Sequence, residues 1–158
     1  MPVFEANQMV NAKLEIVWSF FSDPSNLPII TPPDMGFIIK FPLNRIPMYP
    51  GMIIKYRVSP LLSIPVEWVT EISHVEDNRF FVDTQLKGPF KMWHHQHIFK
   101  NLGEVTEMTD IVNYELPFGG LGKWIAGRIV RKRVATIFKY RKEVVERIFN
   151  QYADVKVN

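Results

Sequence analysis

Residues 92–116, MWHHQHIFKNLGEVTEMTDIVNYEL, decide how the rest of the chain is read. Side chains alternate between faces along a strand, so Trp93, His95, His97 and Phe99 share one face, and His94, Gln96, Ile98 and Lys100 share the other. The more aromatic set belongs inside. In the next strand Met108, Asp110, Val112 and Tyr114 form the apolar set, opposed by Glu107, Thr109 and Asn113. A four-residue turn, Asn101-Leu102-Gly103-Glu104, makes the two strands a hairpin, with His95 expected opposite Asp110 and His97 opposite Met108.

Working backwards, GFIIKF, MIIKYRVS, VEWVTEISHV and RFFVDTQL read as strands. They are bounded by turn signals such as Tyr49-Pro50-Gly51, Asp77-Asn78 and Lys87-Gly88-Pro89. Such short connections imply antiparallel neighbours. A two-residue turn at Asp77-Asn78 puts the inward Trp68, Thr70 and Ile72 on one face with Phe81, Asp83 and Gln85. Phe80, Val82 and Leu86 form a competing apolar face, so the inward side of 79–87 stays open. With the first choice the interior holds a polar cluster of Asp83, Gln85, His95, His97 and Asp110. Unsatisfied buried polar groups cost roughly 1–3 kcal/mol each, so these must pair, meet water or meet a ligand.

At the N-terminus VFEANQMVNA reads as a strand and KLEIVWSFFSD as a helix whose Leu14, Val17, Trp18 and Phe21 form one face. Asp23-Pro24 stops it, and SNLPII predicts a second short helical piece ending before Thr31-Pro32-Pro33. After Pro117 a long helix is expected over about residues 121–150. Its stripe is Ile125, Ile129, Val134, Ile137, Phe138, Arg141, Val144, Val145 and Ile148, apolar with one basic interruption. The order of elements gives an α+β fold in one domain, 1–158: about seven curved antiparallel strands gripping the final helix, with two short helices after the first strand.

The chain has 158 residues and no cysteine, which removes disulfides, thiolate metal sites and cysteine nucleophiles. It starts without a basic, then apolar, leader pattern and has no apolar run of membrane-spanning length. A cytoplasmic protein is expected. The net charge of +3 is a weak argument for nucleic acid, and no nucleic-acid, P-loop, dinucleotide or G-x-S-x-G motif is present. The basic residues gather in RIVRKRVATIFKYRK, where a solvated helix face explains Arg128, Arg131, Lys132, Arg133, Lys139, Arg141 and Lys142. Transient contact with an anionic membrane surface is the sharper alternative.

Six segments together resemble the START-related (SRPBCC) superfamily, in its polyketide cyclase and dehydrase-like branch. They are ITPPDMGFII, PGMIIKYRV, IPVEWVTEI, FFVDTQLKGPFKMWHHQHIF, MTDIVNYELPFGGLG and IFKYR. The resemblance implies a helix-grip (START/Bet v 1-like) fold with a cavity that holds an apolar or amphipathic small molecule or lipid. Tyr56, Trp68, Trp93 and Tyr114 would line it, with Asp83, Gln85, His95, His97 and Asp110 meeting the ligand's polar end. A cyclase or dehydratase would instead use His95 as acid or base, Asp110 to orient it and Asp83 as a second acid. The bland alternative is an internal hydrogen-bond network. His-x-His plus a carboxylate has the residue types of a facial metal triad. No metal or other cofactor is expected, since a fourth ligand is lacking and the resembling family is not generally metal-dependent. His94 and His74 are expected to reach water, Trp18 and Trp124 to pack, and Pro42–Pro50 to form a gate loop. The chain would be a monomer or homodimer.

Overall fold

The last six strands of the chain lie side by side in chain order. The computed structural model describes residues 2–42, 45–60, 63–117 and 120–155. Its strands are β1 (Val3–Val10), β2 (Ile38–Phe41), β3 (Met52–Val58), β4 (Val66–Glu76), β5 (Phe80–Lys87), β6 (Met92–Asn101) and β7 (Thr106–Glu115). They form one antiparallel sheet in the order β1-β7-β6-β5-β4-β3-β2. Among the described residues two α-helices complete it, α1 (Leu14–Phe21) and α2 (Gly120–Val155).

The hairpin faces are as expected: His95, His97, Phe99, Met108, Asp110, Val112 and Tyr114 are all buried. Their register is not. His97 lies opposite Asp110 and His95 opposite Val112, because the ladder continues to Asn101↔Thr106. The Asn101 side chain accepts from the Gly103 N–H at 2.8 Å, and Gly103 takes φ +88°, which glycine adopts without steric penalty. The turn therefore starts one residue later than expected. Pairs slide by two, which leaves every face unchanged and puts His95 diagonal to Asp110.

Between β4 and β5 two departures cancel. Asn78 sits in the left-handed region at φ 60° and the Arg79 N–H donates to the Glu76 carbonyl at 3.0 Å, making a longer turn with Glu76↔Phe80. An irregularity between Ile72 and His74 restores the expected Ile72↔Asp83 and Thr70↔Gln85 pairs. Phe81 is therefore inward and buried; of the competing face Leu86 is exposed and Phe80 half-buried, while Val82 is buried as well.

The predicted helical piece at SNLPII is instead a single 3₁₀ turn, Pro24–Asn26, followed by another at Pro33–Met35. Each starts with proline, which cannot donate into a helix and suits its first position. On α1 the four expected residues are all buried, with Trp18 edge-on to Phe99 at 5.4 Å between centroids.

Helix α2 runs past residue 150 to Val155, about 54 Å at roughly 1.5 Å per residue. Its inward row is Val130, Val134, Phe138, Val144, Val145 and Phe149. Ile129 is exposed: the row passes through its neighbour Val130, from which Val134 and Phe138 follow at helical spacing. Ile137 and Ile148 are half-buried. The side chains of Trp124 and Ile125 lie outside the described residues. The first half of α2 packs on Val112, Tyr114 and Leu116. Its second half joins α1, Val10, Phe99 and Met108 in a larger cluster. Among the described residues no helix is long and apolar enough to cross a membrane.

Candidate functional site

Between the sheet and α2 a cavity of about 280 Å³ remains. One wall is a run of aromatic rings from β3, β4 and β6 and from Phe37, just before β2. Phe37 stacks on Tyr56 at 4.6 Å, Tyr56 on Trp68 at 5.8 Å, and Trp68 stands edge-on to Trp93 at 5.4 Å. The Tyr56 hydroxyl lies 3.3 Å from Thr70 Oγ1, and burial, with Asp83 nearby, pushes its phenol pKa up. The Trp68 Nε1–H is buried with no partner among the described residues. Buried donors are ordinarily satisfied, so this one is an exception within the aromatic wall.

The polar part of the wall comes from β5, β6 and α2. Asp83, His95, His97 and Arg141 all line the cavity. Asp110 stands behind the histidines and joins them. Its Oδ1 is 2.8 Å from His95 Nε2 and 3.0 Å from His97 Nδ1. Asp83 Oδ2 is 3.2 Å from His95 Nδ1 and 2.9 Å from His97 Nε2. Two carboxylates and two imidazoles thus alternate in a closed ring, with the imidazole centroids 3.7 Å apart. Arg141 Nη2 reaches His97 Nδ1 at 3.2 Å and Asp110 Oδ1 at 3.7 Å.

A guanidinium can only donate, so its bond to His97 requires a lone pair on Nδ1 and the proton on Nε2, where it is donated to Asp83. His97 is then neutral. Burial and the charge on His95 hold its pKa down in the same sense. Burial also opposes charge on His95, but the flanking Asp83 and Asp110 outweigh it and raise its pKa. Burial alone would raise both carboxyls. At Asp83 the two histidines overcome it, and at Asp110 Arg141 does so with the histidines, so both pKa values are held down. The balance is two anions, Asp83 and Asp110, against two cations, His95 and Arg141, which satisfies the rule that buried charges are paired.

This arrangement limits the chemistry. Both nitrogens of His95 face carboxylates, so it presents no free lone pair to a cavity molecule. Asp83 is the most exposed of the four ring members, with 17% of its side chain accessible.

The other expected residues are placed as follows. Tyr56, Trp68 and Trp93 line the cavity. Tyr114 is buried behind Phe90 and Trp93, at 5.8 and 6.2 Å between centroids. Gln85 turns to the β5–β6 connection, where its amide donates to the Phe90 carbonyl at 2.7 Å and accepts from the Phe90 N–H at 3.3 Å. His94 is half-buried and His74 exposed. Within Pro42–Pro50, residues 43–44 lie outside the described set, and Met48 reaches the cavity.

Arg141 is the site residue that strand periodicity missed. It was expected on the solvated basic face, yet only 12% of its side chain is accessible, and its guanidinium lies 5.2 Å from the Phe21 ring. Its signal was a cation inside an otherwise apolar helical row. Arg133 is also held, by Asp34 at 2.6 Å and the Pro60 carbonyl at 2.9 Å.

No family model and no curated protein sequence matches the chain. Solved structures do. A START superfamily protein from Mycobacterium smegmatis superposes with a TM-score of 0.66 at 16% identity, over 95% of this chain and 98% of that one. The Zhui aromatase/cyclase from Streptomyces gives 0.67 at 14% identity, over 99% and 96%. Ginseng major latex-like protein 151 from Panax ginseng gives 0.66 at 12% identity, over 94% and 97%. The chain has the START-like helix-grip fold that these structures share.

Proposed function

We propose that the protein binds an apolar or amphipathic small molecule or lipid inside the sheet, with the ligand's polar end against Asp83, His95, His97 and Arg141. The observation that carries this reading is the cavity itself, an aromatic chamber with one charged wall. Its volume of about 280 Å³ is near the lower end of the roughly 300–1,000 Å³ usual for small-molecule sites. The folds of the START superfamily protein and the latex-like protein support the same reading.

A second reading is a cyclase or dehydratase, favoured by the 2.8 Å His95–Asp110 contact beside the cavity and by the aromatase/cyclase neighbour. In that case Asp83 exchanges protons with the substrate and His95, held by Asp110, relays them, because His95 has no free nitrogen of its own.

Titration with the fluorescent amphiphile anilinonaphthalene sulfonate tests the binding reading. Ile137 lines the cavity from α2, and Ile137→Trp fills part of it. Emission enhancement is expected with the unaltered protein, and an affinity about tenfold or more lower in the variant, equivalent to about 1.4 kcal/mol. Equal affinity in the two proteins would put the dye outside the cavity and count against the reading.

A further inference from the structure

The geometry points to a binding site for one divalent first-row transition ion, such as Zn(II), held by Asp83, His95 and His97. Among the described residues these three offer one donor atom each, all within 4.8 Å of one another. Asp83 Oδ2 is 3.2 Å from His95 Nδ1 and 2.9 Å from His97 Nε2. Ligands bound at about 2.0–2.1 Å are separated by roughly 2.8–3.0 Å around an octahedral ion and roughly 3.3–3.4 Å around a tetrahedral one. The two pairs that Asp83 makes stand near that spacing, and the three donors together lie within 4.8 Å of one another.

A second, independent feature lies on the far side of the rings. Each histidine turns its remaining nitrogen to one oxygen of Asp110, His95 Nε2 at 2.8 Å and His97 Nδ1 at 3.0 Å. A metal-ligating histidine almost always donates its other N–H to a carboxylate, carbonyl or water, which fixes the tautomer and ring orientation. Here one buried carboxylate serves both rings, and Arg141 at 3.7 Å offsets its charge. With the ion bound, His95 gives up its Nδ1 proton to solvent and keeps Nε2–H on Asp110, while His97 carries its proton on Nδ1 and donates it to Asp110. Arg141 then keeps Asp110 as its partner instead of the His97 lone pair.

Sequence argued against a metal because no fourth ligand was in view. Three protein donors with further positions left open are, however, what non-structural sites use. Asp83, His95 and His97 line the cavity, so the remaining positions are filled by water or by an oxygen of a cavity ligand. The charge count supports an anionic oxygen there: the ion, Asp83, Asp110 and Arg141 sum to one positive charge. The proposal stands apart from the small-molecule reading, because its test uses metal alone.

Full-length protein is stripped with chelator, exchanged into chelator-free buffer and titrated with Zn(II) and Co(II). About one equivalent per chain should survive desalting. The Co(II) form should show visible d–d absorption and two paramagnetically shifted imidazole N–H resonances, one for each ring proton held by Asp110. Asp110→Asn should weaken Zn(II) roughly 10–100-fold as an outer-shell change, and His97→Gln should weaken it further. Stoichiometry well below one in the unaltered protein, or undiminished affinity in His97→Gln, would overturn the proposal. If His97→Gln fails to fold by circular dichroism, the proton spectrum of the Co(II) form decides, and the absence of shifted imidazole signals overturns it equally.

Discussion

Asp110→Ala is expected to lower the unfolding free energy of the metal-free protein by about 3–5 kcal/mol, the usual cost of breaking a buried ion pair from one side. Asp110 is 7% exposed and touches His95, His97 and Arg141 through a single oxygen. Its removal leaves Arg141 and protonated His95 against one remaining carboxylate. Water reaches them poorly, so the uncompensated charge is not screened as it would be at a surface. Denaturant unfolding monitored by tryptophan fluorescence measures the loss. The mechanism is specific enough for a double-mutant cycle. Asp110→Asn with Arg141→Met removes one charge of each sign, and the pair should cost less than the sum of the single changes. A cost below about 1 kcal/mol for Asp110→Ala would mean that the carboxylate behaves like a surface partner.

Phe149→Ala should be comparably damaging, at about 3–5 kcal/mol, because a large buried ring leaves a void that a packed interior refills only in part. Phe149 is 1% exposed and stands edge-on to Phe20 at 5.5 Å. It lies in the cluster where the second half of α2 meets α1 and the sheet. About two turns beyond Arg141 on α2, it reports on the grip of the helix and not on the charges. Ile129→Ala, on the same helix but exposed, should change stability by no more than about 0.5 kcal/mol. The reverse order would mean that α2 lies on the sheet with a different face.

The contrast between Ile129 and Val130 shows what was legible in the sequence. Strand faces were readable because a period of two is unambiguous: His95, His97 and Asp110 were assigned inward from alternation alone, and they are. A two-residue slip of the β6–β7 register left that conclusion intact, since it moves partners and not faces. Which residue sits opposite which depends on where a turn begins, and Asn101 settles that through a side-chain bond to Gly103. A helical row is less sharply defined, and Ile129 is as apolar as Val130. Only packing against Val112 and Leu116 selects between them. Arg141 was read correctly as part of the inward row and wrongly as part of a solvated face. Its partner Asp110 is remote in sequence, and only the fold brings them together. Tyr114 and Gln85 lie on the expected faces, but one is shielded by Phe90 and Trp93 and the other is used by a turn.

Native mass spectrometry of the purified protein, compared with its denatured mass, tests the central claim most directly. The account predicts an organic adduct of small-molecule size in the native spectrum that is lost on denaturation, or one acquired on incubation with a medium-chain fatty acid. It also predicts that Ile137→Trp carries less of either. A bare native chain that takes up no amphiphile would contradict it.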